Sequence, residues 1–322
     1  MVPNISKTAD AARLEEAAAI ILSGGLVAMP TETVYGLAAD AANDVATAKI
    51  FEAKGRPQFN PLIIHVSGKE MAARYAEFSS VADALADAFW PGALTLVLPR
   101  RADSGLSHLV SAGLDTIAIR APAHPIARRL IDAVDRPLAA PSANRSGAIS
   151  PTSAADVAQS LGGNIDFIID GGPCEIGLES TIVKIEEGEV LLLRPGGVPR
   201  EDIELVIDAP LQKSSDKKIQ APGMMKSHYA PNVSVYLDVL SPPSDHAFLD
   251  FAKSNLDHRH RLDLSPDGIL LEAAANLFAS LRSLDQICTD NDLVGISVAP
   301  IPHDGLGEAI NDRLRRAAAP RD

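Results

Sequence analysis

The chain has 322 residues, 46% of them hydrophobic and 22% charged, with 29 Lys+Arg against 42 Asp+Glu and a formal net charge of -13. That length suits two domains, each able to bury its own core, and the acidity argues against a protein that wraps a long nucleic acid. Cys174 and Cys288 are the only cysteines, too few for a disulfide framework or a cysteine-based zinc site.

The first twenty residues mix acids and bases before any apolar run, as an amphipathic helix does and a signal peptide does not. No apolar stretch reaches the roughly 18 residues of a membrane span, so the expected location is the cytoplasm. Helical periodicity runs through 9–22, 45–53, 81–89, 126–134 and 154–161. Between these windows lie short strand-like runs: 26–30, 62–66, 94–98, 116–120, 137–141, 167–170, 180–185 and 190–194. Strands separated by helices predict parallel pairing, while 180–194 reads as a hairpin turning at Glu187 and Gly188. The predicted fold class is therefore α/β, a twisted mixed open sheet with flanking helices.

The stretch 212–220 is polar and aperiodic and runs into Ala221-Pro222-Gly223-Met224, so a linker is expected here. Beyond it, a strand at 233–237, a helix near 245–254, a helix at 269–284, a strand at 293–298 and a helix at 305–318 predict a small doubly wound α/β domain. The expected division is 1–208 for a catalytic domain, 209–232 for a linker and lid, and 233–322 for the small C-terminal domain.

Three segments and two strand-end arginines carry candidate chemistry. Pro30-Thr31-Glu32-Thr33-Val34-Tyr35-Gly36 follows a strand, where open α/β sheets bind ligands; the alternative is a helix entry capped by Thr31 or Thr33. Lys54-Gly55-Arg56-Pro57 offers a point charge and a fork for an oligophosphate; equally, it suits a glycine cap with cations at the helix's negative end. Pro141-Ser142-Ala143-Asn144-Arg145-Ser146-Gly147, followed by Ser150, combines hydroxyls, an amide and glycine as phosphate-holding loops do. Arg120 and Arg194 each end a strand, suited to an anion in a shared pocket or to the surface. Walker and dinucleotide-binding glycine patterns are absent. Cys174 reads as a structural thiol, and His228 lacks neighbours at zinc-ligand spacing.

Taken in order, these segments, with Asn60-Pro61-Leu62 and His65, Trp90-Pro91-Gly92, Arg120-Ala121-Pro122 and Leu178-Glu179-Ser180-Thr181, resemble the YrdC-like family of L-threonylcarbamoyl-adenylate synthases. The downstream Ala221-Pro222-Gly223-Met224 and His228-Tyr229-Ala230-Pro231, with a further small domain, resemble the family's long two-domain form. The resemblance implies that L-threonine, bicarbonate or CO2, and ATP give threonylcarbamoyl-AMP and pyrophosphate. The product then goes to a separate tRNA threonylcarbamoyl-transferase complex that makes N6-threonylcarbamoyladenosine at position 37.

It also implies site residues. Lys54, Arg56, Ser142 and Asn144 match the catalytic phosphate-binding set. Asn60, Thr116, Ser150, Arg194 and Tyr229 match further ATP contacts. Thr33, His65, Arg120, Ala140 and Ser180 match the threonine pocket, with Arg120 suited to the carboxylate. Mg2+ is expected to travel on the ATP phosphates without a protein metal cage, and residues 221–231 to close as a lid. Met225, Lys226 and Ser227 depart from the commoner family pattern there. The rival readings are a double-stranded RNA-binding module, disfavoured by the negative charge and few aromatics, and a carbamoyl-adenylate module of hydrogenase maturation, whose extra segments are missing.

Overall fold

Alternating apolar runs need two covering layers, and the chain supplies them as one large sheet with helices on it. The computed structural model describes residues 4–6, 11–186, 188–213, 228–254 and 256–320. The first part begins with β1 (Asn4–Ser6), α1 (Ala11–Leu22), β2 (Val27–Met29), β3 (Gly36–Asp40), α2 (Asp44–Lys54), β4 (Ile63–His65), α3 (Lys69–Ala72) and α4 (Ser80–Phe89). It continues with β5 (Leu94–Pro99), α5 (His108–Ser111), β6 (Thr116–Arg120), α6 (Pro125–Val134), β7 (Leu138–Ala139) and α7 (Ala154–Leu161). It closes with β8 (Phe167–Ile169), β9 (Thr181–Glu186), β10 (Glu189–Arg194), α8 (Arg200–Ile207) and β11 (Gln212–Lys213).

These strands join in the order β1-β8-β2-β3-β7-β4-β6-β5-β9-β10-β11. The sheet is mixed, as the alternation and the hairpin predict: β4 and β6 pair in parallel, while β2–β3, β5–β6 and β9–β10 are antiparallel. The β4–β6 register sets His65 beside Arg120 at the carboxyl ends of both strands. Side chains alternate across a strand, and the two faces differ here. One face joins the main apolar core with the helices; the other carries a small separate cluster of Ile63, Val97, Ala118, Ile182 and Leu193.

Gly36–Asp40 is a strand, a segment to which the sequence reading gave no element before the helical window at 45–53. Alanine favours helices, but Gly36–Asp40 is buried at all five positions and bonds β2 on one side and β7 on the other. Tertiary burial overrides the local preference.

The second part contains β12 (Ser234–Tyr236), β13 (His246–Asp250), β14 (Arg261–Asp263), α9 (Leu270–Asp290), β15 (Gly295–Val298) and α10 (Leu306–Ala318). Its four strands form a parallel sheet in the order β12-β15-β13-β14. The helix expected near 245–254 is instead β13: its five residues are all buried between β15 and β14, an environment that suits an apolar run of strand length. The core around α9 and α10 is not confined to this part. It includes Val34, Ile149, Leu178 and Tyr229, so the two sheets share apolar packing beside the motif loops.

Candidate active site

The loops that carry the sequence motifs converge because the strands and helices beneath them end together. Asn43 caps α2 by accepting from Ala46 N–H, and Gly55 ends the helix at φ 59, left-handed backbone that glycine adopts without strain. The reading of this segment as a glycine cap is therefore met, but Lys54 does not sit in solvent at the helix end. It is buried, and its Nζ donates to the carbonyls of Ser142 and Asn144, each at 2.5 Å. In return Ser146 N–H donates to Lys54 O at 2.8 Å, so the 142–146 loop is clamped onto the helix end. Arg56, turned back by the cap, donates to Asn60 O and Pro61 O.

Thr31 and Thr33 do not cap a helix. Thr31 Oγ accepts from Thr33 N–H and Val34 N–H and donates to Val34 O at 2.6 Å, folding a tight turn between β2 and β3. This turn aims Thr33 and Glu32 at Arg120. Arg120 donates from Nη1 to Thr33 Oγ1 at 2.8 Å, from Nη2 to Glu32 Oε1 and from Nε to Gly92 O at 2.9 Å. Arginine has five N–H donors, which leaves two for a ligand. Burial works against the Glu32 charge, but the Arg120 guanidinium and backbone donors hold its carboxyl below the usual range.

A cleft lies over these residues. Its walls include Thr33, His65, Arg120, Ala140 and Ser180, the five residues expected for threonine, together with Arg56, Ser142, Arg194 and Tyr229 of the expected nucleotide set. Lys54 and Asn144 stand behind Ser142. Ser150 lies beyond Glu179, to which its hydroxyl donates at 2.5 Å, and Asn60 lies behind Arg56. Thr116 is not brought to the cleft. It shares a strand face with Ala118 and Arg120, but it pairs with Pro99 at the opposite end of β6, about 13 Å from Arg120 at 3.3 Å per residue. Asn144 also differs from expectation in detail: its amide donates to Arg145 O and Ala148 O, so its side-chain donors serve the loop.

The cleft's electrostatics are unusual for an acidic protein. Burial pushes Lys54 well below its ordinary pKa, and the neighbouring Arg56 adds to the effect; burial likewise lowers Arg56 and Arg194. Neither Lys54 nor Arg56 forms an ion pair with a carboxylate among the described residues. Crowded, desolvated cations of this kind are stabilised by an anion. His65 and His228, both buried, are pushed down to about 3 and stand neutral. Cys174 is buried with its thiol raised to about 12, inert as expected.

Several residues of this site escaped the sequence reading. Glu32 and Glu179 lay inside recognised motifs without a role, and His228 was weighed only as a zinc ligand. Arg313 of α10 was not singled out at all. Acids beside threonine and serine in a loop give no signal that they will be buried opposite arginines.

Residues 19–196 match a family model described as Telomere recombination, and residues 198–319 match one described as Threonylcarbamoyl-AMP synthase, C-terminal domain. This chain belongs to the family of two-domain threonylcarbamoyl-AMP synthases. A threonylcarbamoyl-AMP synthase of Pyrococcus abyssi is 41% identical, covering 100% of this chain and 98% of its own. One of Bacillus subtilis is also 41% identical, covering 96% and 94%. The crystal structure of P. abyssi Sua5 complexed with L-threonine superposes with a TM-score of 0.88 at 39% identity, covering 98% of this chain and 97% of that one. This enzyme class forms an adenylate from ATP, which makes the chain a nucleotidyltransferase and disfavours the RNA-binding reading.

Proposed function

We propose that the cleft itself is where L-threonine, bicarbonate or CO2, and ATP become threonylcarbamoyl-AMP and pyrophosphate. The observation that carries this reading is the meeting of two differently built halves in one cleft. One half, around Arg120, Thr33, His65, Ala140 and Ser180, is a small neutralised pocket. The other, around Lys54, Arg56, Ser142 and Arg194, is cationic and backed by a clamped loop. An amino acid fits the first and a triphosphate the second.

In this reading the two remaining Arg120 donors take the threonine carboxylate, while Thr33 and Ser180 border the rest of the molecule. The threonine amine, as the free base, adds to CO2 and loses a proton to give a carbamate. A carbamate oxygen then attacks the α-phosphorus of ATP, and the α–β bridging oxygen leaves with pyrophosphate. No covalent enzyme intermediate is needed, so the protein contributes alignment and charge. Lys54, with two of its three donors held by carbonyls, presents the third to phosphate, and Arg56 and Ser142 flank it. Asn60, Arg194 and Tyr229 border the nucleotide, as do Ser150 through its Glu179 contact and Asn144 through the loop it shapes.

Mg2+ carried on the ATP phosphates would supply further charge neutralisation here. Both carboxylates beside the cleft are engaged, Glu32 by Arg120 and Glu179 by Arg313, and no cluster of three acidic, histidine or cysteine side chains suits a metal among the described residues. Asn144 Oδ1, a buried acceptor without a hydrogen-bond partner among them, suits a water on that metal. His228 and Tyr229 close one side of the cleft. Residues 221–227 of the expected lid, with Met225, Lys226 and Ser227, lie outside the described residues. We assign residues 1–208 to catalysis, 209–232 to the linker and lid, although Gln212–Lys213 of the expected linker joins the main sheet beside β10, and 233–322 to the second domain. The product passes to a separate transferase that modifies tRNA, in the cytoplasm; among the described residues no helix is long and apolar enough to cross a membrane.

The test is pyrophosphate release from ATP with L-threonine and bicarbonate each omitted in turn. Release should require both, and release without threonine overturns the reading.

A further inference from the structure

The second domain sends two arginines toward Ser150 in the first: Arg282 reaches its carbonyl directly, and Arg313 reaches Glu179, which accepts its hydroxyl. Arg313 of α10 is fully buried, at 0% exposure. Its Nε donates to Glu179 Oε2 at 2.7 Å, its Nη1 to Asp312 at 2.7 Å, and its guanidinium carbon lies 5.3 Å from the centre of the Tyr229 ring. The other Glu179 oxygen accepts the Ser150 hydroxyl. Arg282 of α9 donates to the carbonyls of Ser150 and Ile149 at 3.1 and 3.4 Å and pairs with Asp156 at 3.0 Å. Phe278 of the same helix stacks on Tyr229 with ring centres 5.3 Å apart.

Docking alone does not account for these arginines. The shared apolar core already joins the two parts, and Gly177 packs so closely on α9 that a Cβ there would lie 2.6 Å from Ala275 Cα. A buried ion pair holds an interface no better than apolar residues of similar size, because desolvating both charges offsets their attraction. What distinguishes Arg313 is its partner: Glu179 lines the cleft itself, beside Arg194 and Tyr229. A bare carboxylate at that position repels a triphosphate. With one oxygen on Arg313 and the other on Ser150, the charge is neutralised and the serine hydroxyl is fixed.

We propose that Arg313 is a positioning residue for the nucleotide: it neutralises Glu179 and, through it, orients Ser150, which makes the second domain part of the ATP site. This rests on the reading of the cleft given above. Threonine binding is set by first-domain contacts among Arg120, Glu32 and Thr33, so the two substrates respond differently when Arg313 is changed.

The test is steady-state pyrophosphate release by the full-length chain. Arg313→Met should raise the KM for ATP about tenfold or more and change the KM for threonine less than about threefold. Arg313→Met combined with Glu179→Gln, which removes the charge left without its arginine, should recover most of the ATP affinity. A parallel rise in both KM values, or no recovery in the double variant, makes Arg313 a domain strut and overturns the proposal. If Arg313→Met does not fold, Arg313→Lys, which keeps the charge without the fork, carries the test: an ATP KM raised about threefold or more supports the proposal, and an unchanged one overturns it. Lys54→Ala separates this from the underlying reading. Full activity in Lys54→Ala sinks the nucleotide assignment and the proposal together, whereas an inactive Lys54→Ala beside a wild-type ATP KM in the Arg313 variant sinks the proposal alone.

Discussion

Replacing Arg120 with methionine separates what this residue does for the fold from what it does for threonine. The guanidinium is buried beside Glu32, with side-chain exposures of 3% and 7%, and it also bonds Thr33 and Gly92. Methionine fills much of the volume but leaves Glu32 buried and charged with only backbone donors. Removing one partner of a buried pair costs about 3–5 kcal/mol. At roughly 2–4 °C per kcal/mol for a domain of about this size, Tm should fall by roughly 6–20 °C. For threonine, losing a hydrogen bond between charged groups costs about 1.5–3 kcal/mol, which is roughly 10- to 150-fold in KM. Adding Glu32→Gln removes the orphaned charge, so the double variant should regain most of its Tm while the threonine KM stays high. Thermal melts by circular dichroism and initial rates at saturating ATP measure the two effects. A threonine KM within about threefold of wild type in the double variant refutes the carboxylate role. An unchanged Tm in Arg120→Met refutes the claim that Glu32 depends on it.

Two further outcomes are expected. Gly177 has φ 70 and abuts the α9 backbone, so Gly177→Ala meets left-handed strain of about 1–2 kcal/mol before any overlap with Ala275; faster limited proteolysis between the two domains should follow, and a wild-type digestion rate contradicts the close docking. His228, its pKa pushed down to about 3 by burial against the opposing pull of Glu179 and with Arg56, Lys54 and Arg194 nearby, stays neutral in the folded protein. An unfolded chain binds that proton below about 6.5, so stability is complete above this pH and declines as pH falls toward 3. His228→Asn should flatten part of the Tm decline between pH 6.5 and 4.5; His65, also held near 3, accounts for more of it, and an unaltered profile removes His228 from the account.

Much of the scaffold was legible because burial on a sheet leaves a direct trace in composition. The runs at 62–66, 94–98, 116–120 and 180–194 became β4, β5, β6, β9 and β10, and the Lys54-Gly55-Arg56 spacing showed both a helix cap and a cation pair. Where local preference and tertiary demand differ, the trace fails. Gly36–Asp40 is alanine-rich and yet forms a strand because β2 and β7 cover it on both sides, and His246–Asp250 is a strand because it lies inside a four-stranded sheet.

The same contrast divides the site. The sequence by itself determined which chemical groups are available, through motifs whose side chains stand within a few residues of a strand or helix end. Only the tertiary structure decided which of them are neutralised. Glu32 meets Arg120 across 88 residues, and Glu179 meets Arg313 across 134. Arg313 is one of three arginines in the last turns of an amphipathic helix, where cations normally face water. A charge's partner depends on distances in space, and a linear order of residues does not contain them until the two domains pack.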